Sequence, residues 1–207
     1  MTSLDEWYGT LSIRCSRGMV AGETLCERIL ITTIEMLGDR GFRTTASISD
    51  MKRNLTQSLP TSFTNDAGTE CLLFVDREER TGVKTVRTLM EHHPEARLVV
   101  IAIDGATPFT RREVSKINHV YFFHAKELMH NITKHAIVPK HEAVPPEELA
   151  EIKNTFCVND EQWPVIFTTD PVARWFAWPP DTIVRIHRNG LTQDRQVFYR
   201  KVVRGSG

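Results

Sequence analysis

The chain has no surplus of charge of either sign: 26 lysines and arginines stand against 26 aspartates and glutamates, for a formal net charge of zero. A freestanding nucleic-acid binder usually carries a basic surplus, so the balance argues against that class while leaving room for a local basic face. Cysteine is scarce. Cys15, Cys26, Cys71 and Cys157 are far apart and form no C-x-x-C pair, the pattern of reduced thiols in an intracellular protein rather than of a disulfide framework. No apolar run is long: Leu98 to Ile103 is the longest, far short of the ~20 residues that span a bilayer, so no membrane partner is expected. Met1 to Trp7 offers neither a basic flank nor an apolar core, and no signal peptide is expected. The phosphate-cradling P-loop, G-x-G-x-x-G and the nucleophile-bearing G-x-S-x-G are all missing, so no cofactor and no small-molecule substrate is predicted. Histidine is plentiful (His92, His93, His119, His124, His130, His135, His141 and His187), but none of it falls in the paired Cys/His or H-E-x-x-H spacings that hold zinc, and no metal site is predicted. There is no internal repeat and no low-complexity tract.

What is present alternates. The segment from Glu23 to Arg40 carries Leu25, Ile29, Ile34, Met36 and Leu37 on a helical period, with Gly41 as the stop. Ser49 is placed to cap a second helix through Leu59, and 60–68 reads as a polar loop. Cys71 to Val75 and Leu98 to Ile103 are continuous apolar runs, which predict strands buried on both faces. Between them, 82–93 has Val83, Val86, Leu89 and Met90 on one helical face. Thr107-Pro108 opens another helix, and Val120 to Phe123 makes a third strand. This order predicts an α/β N-terminal domain with a mainly parallel sheet.

Near His141 the character changes. Ala143 to Glu148 is a Pro-Pro joint leading into a helix with Leu149, Ile152 and Phe156 on one face. Pro164 to Phe167 has strand composition. Thr168 or Asp170 can cap the short helix that Pro171 opens and Pro179-Pro180 ends. Thr182 to Ile186 and 196–203 are further strands, joined by a turn starting Asn189-Gly190. The prediction is a small C-terminal α+β module with a β-sheet and two short helices, and a boundary that divides the chain into 1–141 and 142–207.

Two features carry possible chemistry. Asp76, Glu78 and Glu79 follow a strand, with Lys84 beyond. A Mg²⁺-dependent nuclease gathers carboxylates in this way, yet no acid-x-Lys pair follows on the next strand, and a solvated loop of charges is the stronger account of these residues. The basic residues are the other feature. Arg111, Arg112 and Lys116 sit at the start of a helix, where they either touch phosphate or form a solvated face. Arg174, Arg185, Arg188, Arg195, Arg200 and Lys201 crowd the last sixty or so residues. Arg185 and His187 share one strand face, and Arg188 shares the other with Val184 and Ile186. A face half apolar and half arginine suits a protein interface, as it suits an exposed sheet.

The arrangement Asn131-Ile132-Thr133, His135, Val138-Pro139-Lys140-His141, Trp163-Pro164-x-Ile166, Asp170-Pro171-Val172-Ala173-Arg174, Ile183 to Arg188, Arg195 and Tyr199-Arg200 resembles the fifth subunit shared by the eukaryotic nuclear RNA polymerases and its counterpart in the archaeal RNA polymerase. Met36 to Phe42, Gly82 to Val86 and Thr107-Pro108 extend the resemblance into the first half, which only the eukaryotic form has. Two departures stand out: Ala177 and Pro179-Pro180-Asp181 replace a glycine turn, and 189–194 replaces a serine-rich hairpin. Such drift points to a homologue encoded by a large DNA virus, which would work in host cytoplasm and virion; a cellular homologue would be nuclear.

The resemblance implies a non-catalytic polymerase subunit without an active site of its own. Its N-terminal domain would form part of the jaw beside downstream double-stranded DNA, with Thr107, Pro108, Arg111 and Arg112 facing it. Its C-terminal module would dock on the largest subunit near the small shared subunits. The interface residues it implies are Asn131, Thr133, His135, Val138, Pro139, Lys140, His141, Asp170, Pro171, Arg174, Arg188, Arg195, Tyr199 and Arg200. A nuclease on the N-terminal domain and a freestanding DNA-binding regulator stand as the alternatives.

Overall fold

A computed structural model describes residues 24–76, 82–103, 105–114, 116–117, 119–159, 161–189 and 195–205, with only the backbone of Asn189 and Arg195. The chain divides into two compact units, Met1–His130 and Asn131–Gly207. The division falls ahead of the predicted 141/142 boundary. Strand Lys140–Ala143 pairs with Ile183–Asn189 deep in the second unit, and the turn at Ile132–Lys134 touches helix Pro171–Phe176 of that unit.

In the first unit, helix α1 (Leu25–Asp39) opens with a reciprocal cap: Thr24 accepts from the Glu27 amide at 3.3 Å while the Glu27 carboxylate accepts from the Thr24 amide at 2.8 Å. Gly41, at φ +82°, supplies the left-handed turn that leads to β1 (Phe42–Arg43). Helix α2 spans Ile48–Thr56, and its cap is Ser47, not Ser49. Ser47 and Asp50 form the reciprocal pair that Ser49, already inside the first turn, has no partner to make. The predicted polar loop after it contains β2 (Thr61–Asn65). Its polar composition hides a period of two, with Thr61 and Phe63 buried and Ser62 and Thr64 exposed, and it pairs antiparallel with β3 (Glu70–Asp76).

Helix α3 (Val83–His92) and β4 (Arg97–Ala102) follow, then α4 (Pro108–Val114) and β5 (Val120–His124). The sheet runs β1-β2-β3-β4-β5. Its β3-β4-β5 portion is parallel and carries most of the register, and β1 and β2 add on antiparallel. Alternate residues of the central strands bury opposite faces. Leu72, Phe74, Leu98, Val100 and Val120 pack with Val86 of α3 and Val114 of α4, while Leu73, Val99 and Ile101 are buried on the reverse side. Each such side chain contributes about 1.5–3 kcal/mol on burial, which is why the two apolar runs are the centre of this unit.

The second unit begins with a 3₁₀ turn (Ile132–Lys134) and continues through β6 (Lys140–Ala143), α5 (Pro146–Phe156), β7 (Val165–Phe167), α6 (Pro171–Phe176), β8 (Ile183–Asn189) and β9 (Arg195–Val203). Its sheet has the order β6-β8-β9-β7, with β7 parallel to β9 and the other pairs antiparallel. One sheet face packs Ile183 and Tyr199 with Ile152 and Leu149 of α5 and with Trp163. The other buries Ile166, Val184, Ile186 and Val202 beneath Trp178. The predicted turn at Asn189-Gly190 falls on 190–194, outside the described residues.

Candidate functional site

In the second unit the strand register sorts the predicted interface residues onto two faces. His141 lies opposite Ile186, and Val184 opposite Arg200, so His141, Arg188 and Arg200 project from the face that carries Val184 and Ile186. The His141 ring is half-buried, with Nδ1 2.7 Å from the Pro139 carbonyl. Burial lowers its pKa, the Pro139 contact and Asp170 oppose that, and Arg188 and Arg200 reinforce it. His141, Asp170, Arg188 and Arg200 therefore share one electrostatic neighbourhood, although the sequence separates the first from the last by nearly sixty residues.

Asp170 is fixed by its capping role: Oδ1 accepts from the amides of Val172 (2.8 Å) and Ala173 (3.4 Å), with Pro171 exposed at the first helical position. Asp170 is thus the cap of the two candidates the sequence offered. Arg174 is half-buried one turn further on. The Arg188 guanidinium lies 5.1 Å from the centre of the Phe198 ring, and both side chains are exposed. Arg200 donates to the carbonyl of Val165 at 3.4 Å.

The approach to β6 is held by local bonds. Asn131 Oδ1 accepts from the Thr133 amide (2.9 Å) and hydroxyl (2.6 Å), and His135 Nδ1 accepts from the Ile137 amide at 3.3 Å. Ile137 is 85% exposed beside half-buried Val138 and Pro139, an apolar projection that no periodicity in the sequence announced.

Lys140 and Tyr199 belong to the other face. Tyr199 packs edge-on against Phe156 (5.4 Å) and Trp163 (6.1 Å), a core role. Lys140 pairs with Glu142 at 2.8 Å. Glu142 also meets His187 (2.8 Å) and Arg185 (3.4 Å), and Arg185 continues to Glu148. The Lys140 ammonium and the His187 bond hold the Glu142 carboxyl down at about 2. This network, which sequence reading missed, depends on partners up to 45 residues apart. Arg195 opens β9 opposite Asn189.

In the first unit, Thr107 caps α4, accepting from the Thr110 amide at 3.1 Å, and Pro108 occupies the first helical position. Phe109 is 63% exposed, and Arg111 and Arg112 are exposed beside it. A terminal nitrogen of Arg111 lies 3.6 Å from where a Cβ on Gly105 would stand; Gly105 has φ +100°. Lys116 pairs with Glu113 at 2.7 Å. Asp76 is buried at the end of β3, and Glu78 and Glu79 lie outside the described residues. Among the described residues, no three His, Cys, Asp or Glu side chains are grouped as metal ligands, and no helix is long and apolar enough to cross a membrane.

Residues 130–202 match the family RNA polymerase Rpb5, C-terminal domain. The chain is also 42% identical over 69 residues to DNA-directed RNA polymerase subunit Rpo5 of Archaeoglobus fulgidus, covering 91% of that protein and 33% of this chain. The chain belongs to the RNA polymerase subunit 5 family. Its eukaryotic relatives match over both units. It is 28% identical over 193 residues to the DNA-directed RNA polymerases I, II, and III subunit RPABC1 of Caenorhabditis briggsae, covering 90% of this chain and 89% of that one. With the corresponding subunit of Dictyostelium discoideum it shares 27% identity, covering 83% and 94%. The segment that matches the subunit 5 family begins one residue before the second compact unit.

Proposed function

We propose that this subunit 5 homologue is a non-catalytic component of a multisubunit DNA-directed RNA polymerase, held there by its second unit. The observation that carries the reading is the convergence of His141, Asp170, Arg188 and Arg200 at the rim of a buried apolar sheet face, inside the segment that matches the family. Arginine beside exposed aromatic surface is the composition of a protein interface, and here Arg188 on Phe198 supplies both. The partner proposed is the largest subunit, with the small shared subunits nearby. The first unit is proposed as part of the jaw, with Thr107, Pro108, Arg111 and Arg112 toward downstream DNA. The exposed guanidinium groups support that role, and such contacts would be independent of base sequence and weakened by salt.

Affinity purification of the tagged chain from its native source, with identification of co-eluting chains, tests the reading. The largest polymerase subunit should co-elute in stoichiometric amount, and Arg188→Glu should reduce its yield without altering the melting of the isolated chain. Wild-type recovery with Arg188→Glu would remove this face from the interface; elution without any polymerase subunit would remove the function.

A further inference from the structure

Among the described residues, strand β7 is the last strand of its sheet. Its pairing with β9 is bracketed by two bonds, from the Lys201 amide to the Pro164 carbonyl and from the Thr168 amide to the Val203 carbonyl, both 2.8 Å. Backbone N–H and C=O groups alternate sides along a strand, so the Pro164 carbonyl and the groups of residues 166 and 168 face β9, and those of Val165 and Phe167 face the open edge. Two of the four outward groups are engaged: Val165 O accepts from Arg200 at 3.4 Å, and Phe167 O accepts from the Asp170 amide at 2.9 Å. The side chains repeat the pattern. Ile166 is buried, while Val165 and Phe167 are 47% and 48% exposed on the same face. Arg200, Asp170 and Thr169 line an open cleft of about 230 Å³ with these three residues.

A short edge with a charged side chain laid over it is guarded against indiscriminate pairing. The guard is exchangeable: at 3.4 Å the Arg200 bond is long, and an incoming backbone amide would replace it on Val165 O. The freed guanidinium would then favour an anion on the incoming segment, since the carboxylate that lines the cleft with it, Asp170, already accepts two amide bonds at Oδ1.

We propose that β7 accepts an extended segment of another polymerase subunit as a fifth strand, with apolar side chains over Val165 and Phe167 and an acidic side chain on Arg200. The alternation of apolar and acidic residues in the segment follows from the two faces of β7, one apolar and one bearing Arg200. The proposal rests on the reading of the chain as a polymerase subunit.

The test uses the assembled enzyme containing the full chain. A benzophenone amino acid placed at position 165 or 167 should crosslink to positions two apart in one segment of another subunit. Val165→Pro removes an outward donor but leaves the Pro164 and Thr168 bonds to β9. It should lower incorporation about tenfold, while Val165→Ile, which keeps both the amide and an apolar side chain, stays near wild type. Wild-type incorporation of Val165→Pro, crosslinks only to a second copy of this chain, or crosslinks to a segment without the alternation would each overturn the proposal. Should Val165→Pro fail to fold, the crosslinks decide alone. Absence of the wild-type chain from the polymerase would overturn the functional reading as well, so the two failures are distinguishable.

Discussion

Replacing Ala177 with glycine should stabilise the second unit. Ala177 sits at φ 54°, ψ 38°, left-handed backbone that a Cβ crowds. It is held there by the paired bonds that end α6: the Ala177 amide to the Arg174 carbonyl and the Trp178 amide to the Ala173 carbonyl, both 3.2 Å. Left-handed backbone costs a residue with a Cβ roughly 1–2 kcal/mol. Glycine removes that, but its freer unfolded chain returns roughly 0.5–1 kcal/mol. The difference is a gain of about 0.5–1 kcal/mol, which in a chain of this size raises Tm by about 1–4 °C. Trp163, Trp175 and Trp178 lie in the second unit and only Trp7 lies in the first, so tryptophan fluorescence during urea or thermal unfolding reads mainly the unit that changes. Ala177→Val, whose branched side chain tolerates the left-handed region worse, should shift the midpoint the other way. A lower midpoint for Ala177→Gly, or no effect from Ala177→Val, would refute the argument that this turn is strained by its side chain.

Three further outcomes are expected. Glu142 has its carboxyl lowered from 4.5 to about 2 by Lys140 and His187, so its contribution is intact above pH ~4.5 and is lost as pH falls toward 2. In acid titrations followed by fluorescence, Glu142→Gln should remove that part of the slope, by ~1 kcal/mol or less because the pair partners are partly exposed. Ile186→Ala, at a position 2% exposed beneath Trp178, should cost about 2–5 kcal/mol in urea unfolding. Arg111→Ala with Arg112→Ala should leave incorporation into the polymerase unchanged and lower retention of the assembled enzyme on downstream DNA, with a shallower dependence on salt; unchanged retention and slope would count against the proposed DNA-facing role.

The parts of the fold that could be read in the sequence were those fixed by local composition. Cys71 to Val75 and Leu98 to Ile103 are apolar throughout because both faces of these parallel strands are buried, Leu72, Phe74, Leu98 and Val100 against α3 and α4 and Leu73, Val99 and Ile101 on the reverse side. β2 escaped notice because three of its five residues are serine or threonine; only pairing with β3 makes the single phenylalanine an inward position. Ser47 and Ser49 are equivalent as residue types, and what separates them is the residue three places on, an acid for Ser47 (Asp50) and a base for Ser49 (Lys52). The division between units escaped for a related reason: Pro145-Pro146 looks like a joint in the chain, yet β6 just before it is already built into the sheet.

The candidate interface shows the same separation between what a motif marks and what a fold brings together. Val138 to His141 and Asp170 to Arg174 are about thirty residues apart, and nothing local explains why both should be needed. Pairing of β6 with β8 turns His141 onto the apolar face, and pairing of β8 with β9 brings Arg188 and Arg200 onto that face as well. Asp170 is then drawn in by its capping of α6, so its carboxylate serves the helix and the electrostatic neighbourhood of His141 at once. Lys140 and Tyr199, adjacent in sequence to His141 and Arg200, fall on the opposite face because strand neighbours must. Tyr199 is consequently part of the core that supports the surface: it packs with Trp163 and Phe156, and the Arg185 guanidinium lies 5.8 Å from its ring. A substitution at Tyr199 would therefore weaken assembly by way of the fold, whereas one at Arg188 would act at the surface itself. Melting curves of the isolated chain separate the two, with the midpoint lowered for Tyr199→Ala and held for Arg188→Glu.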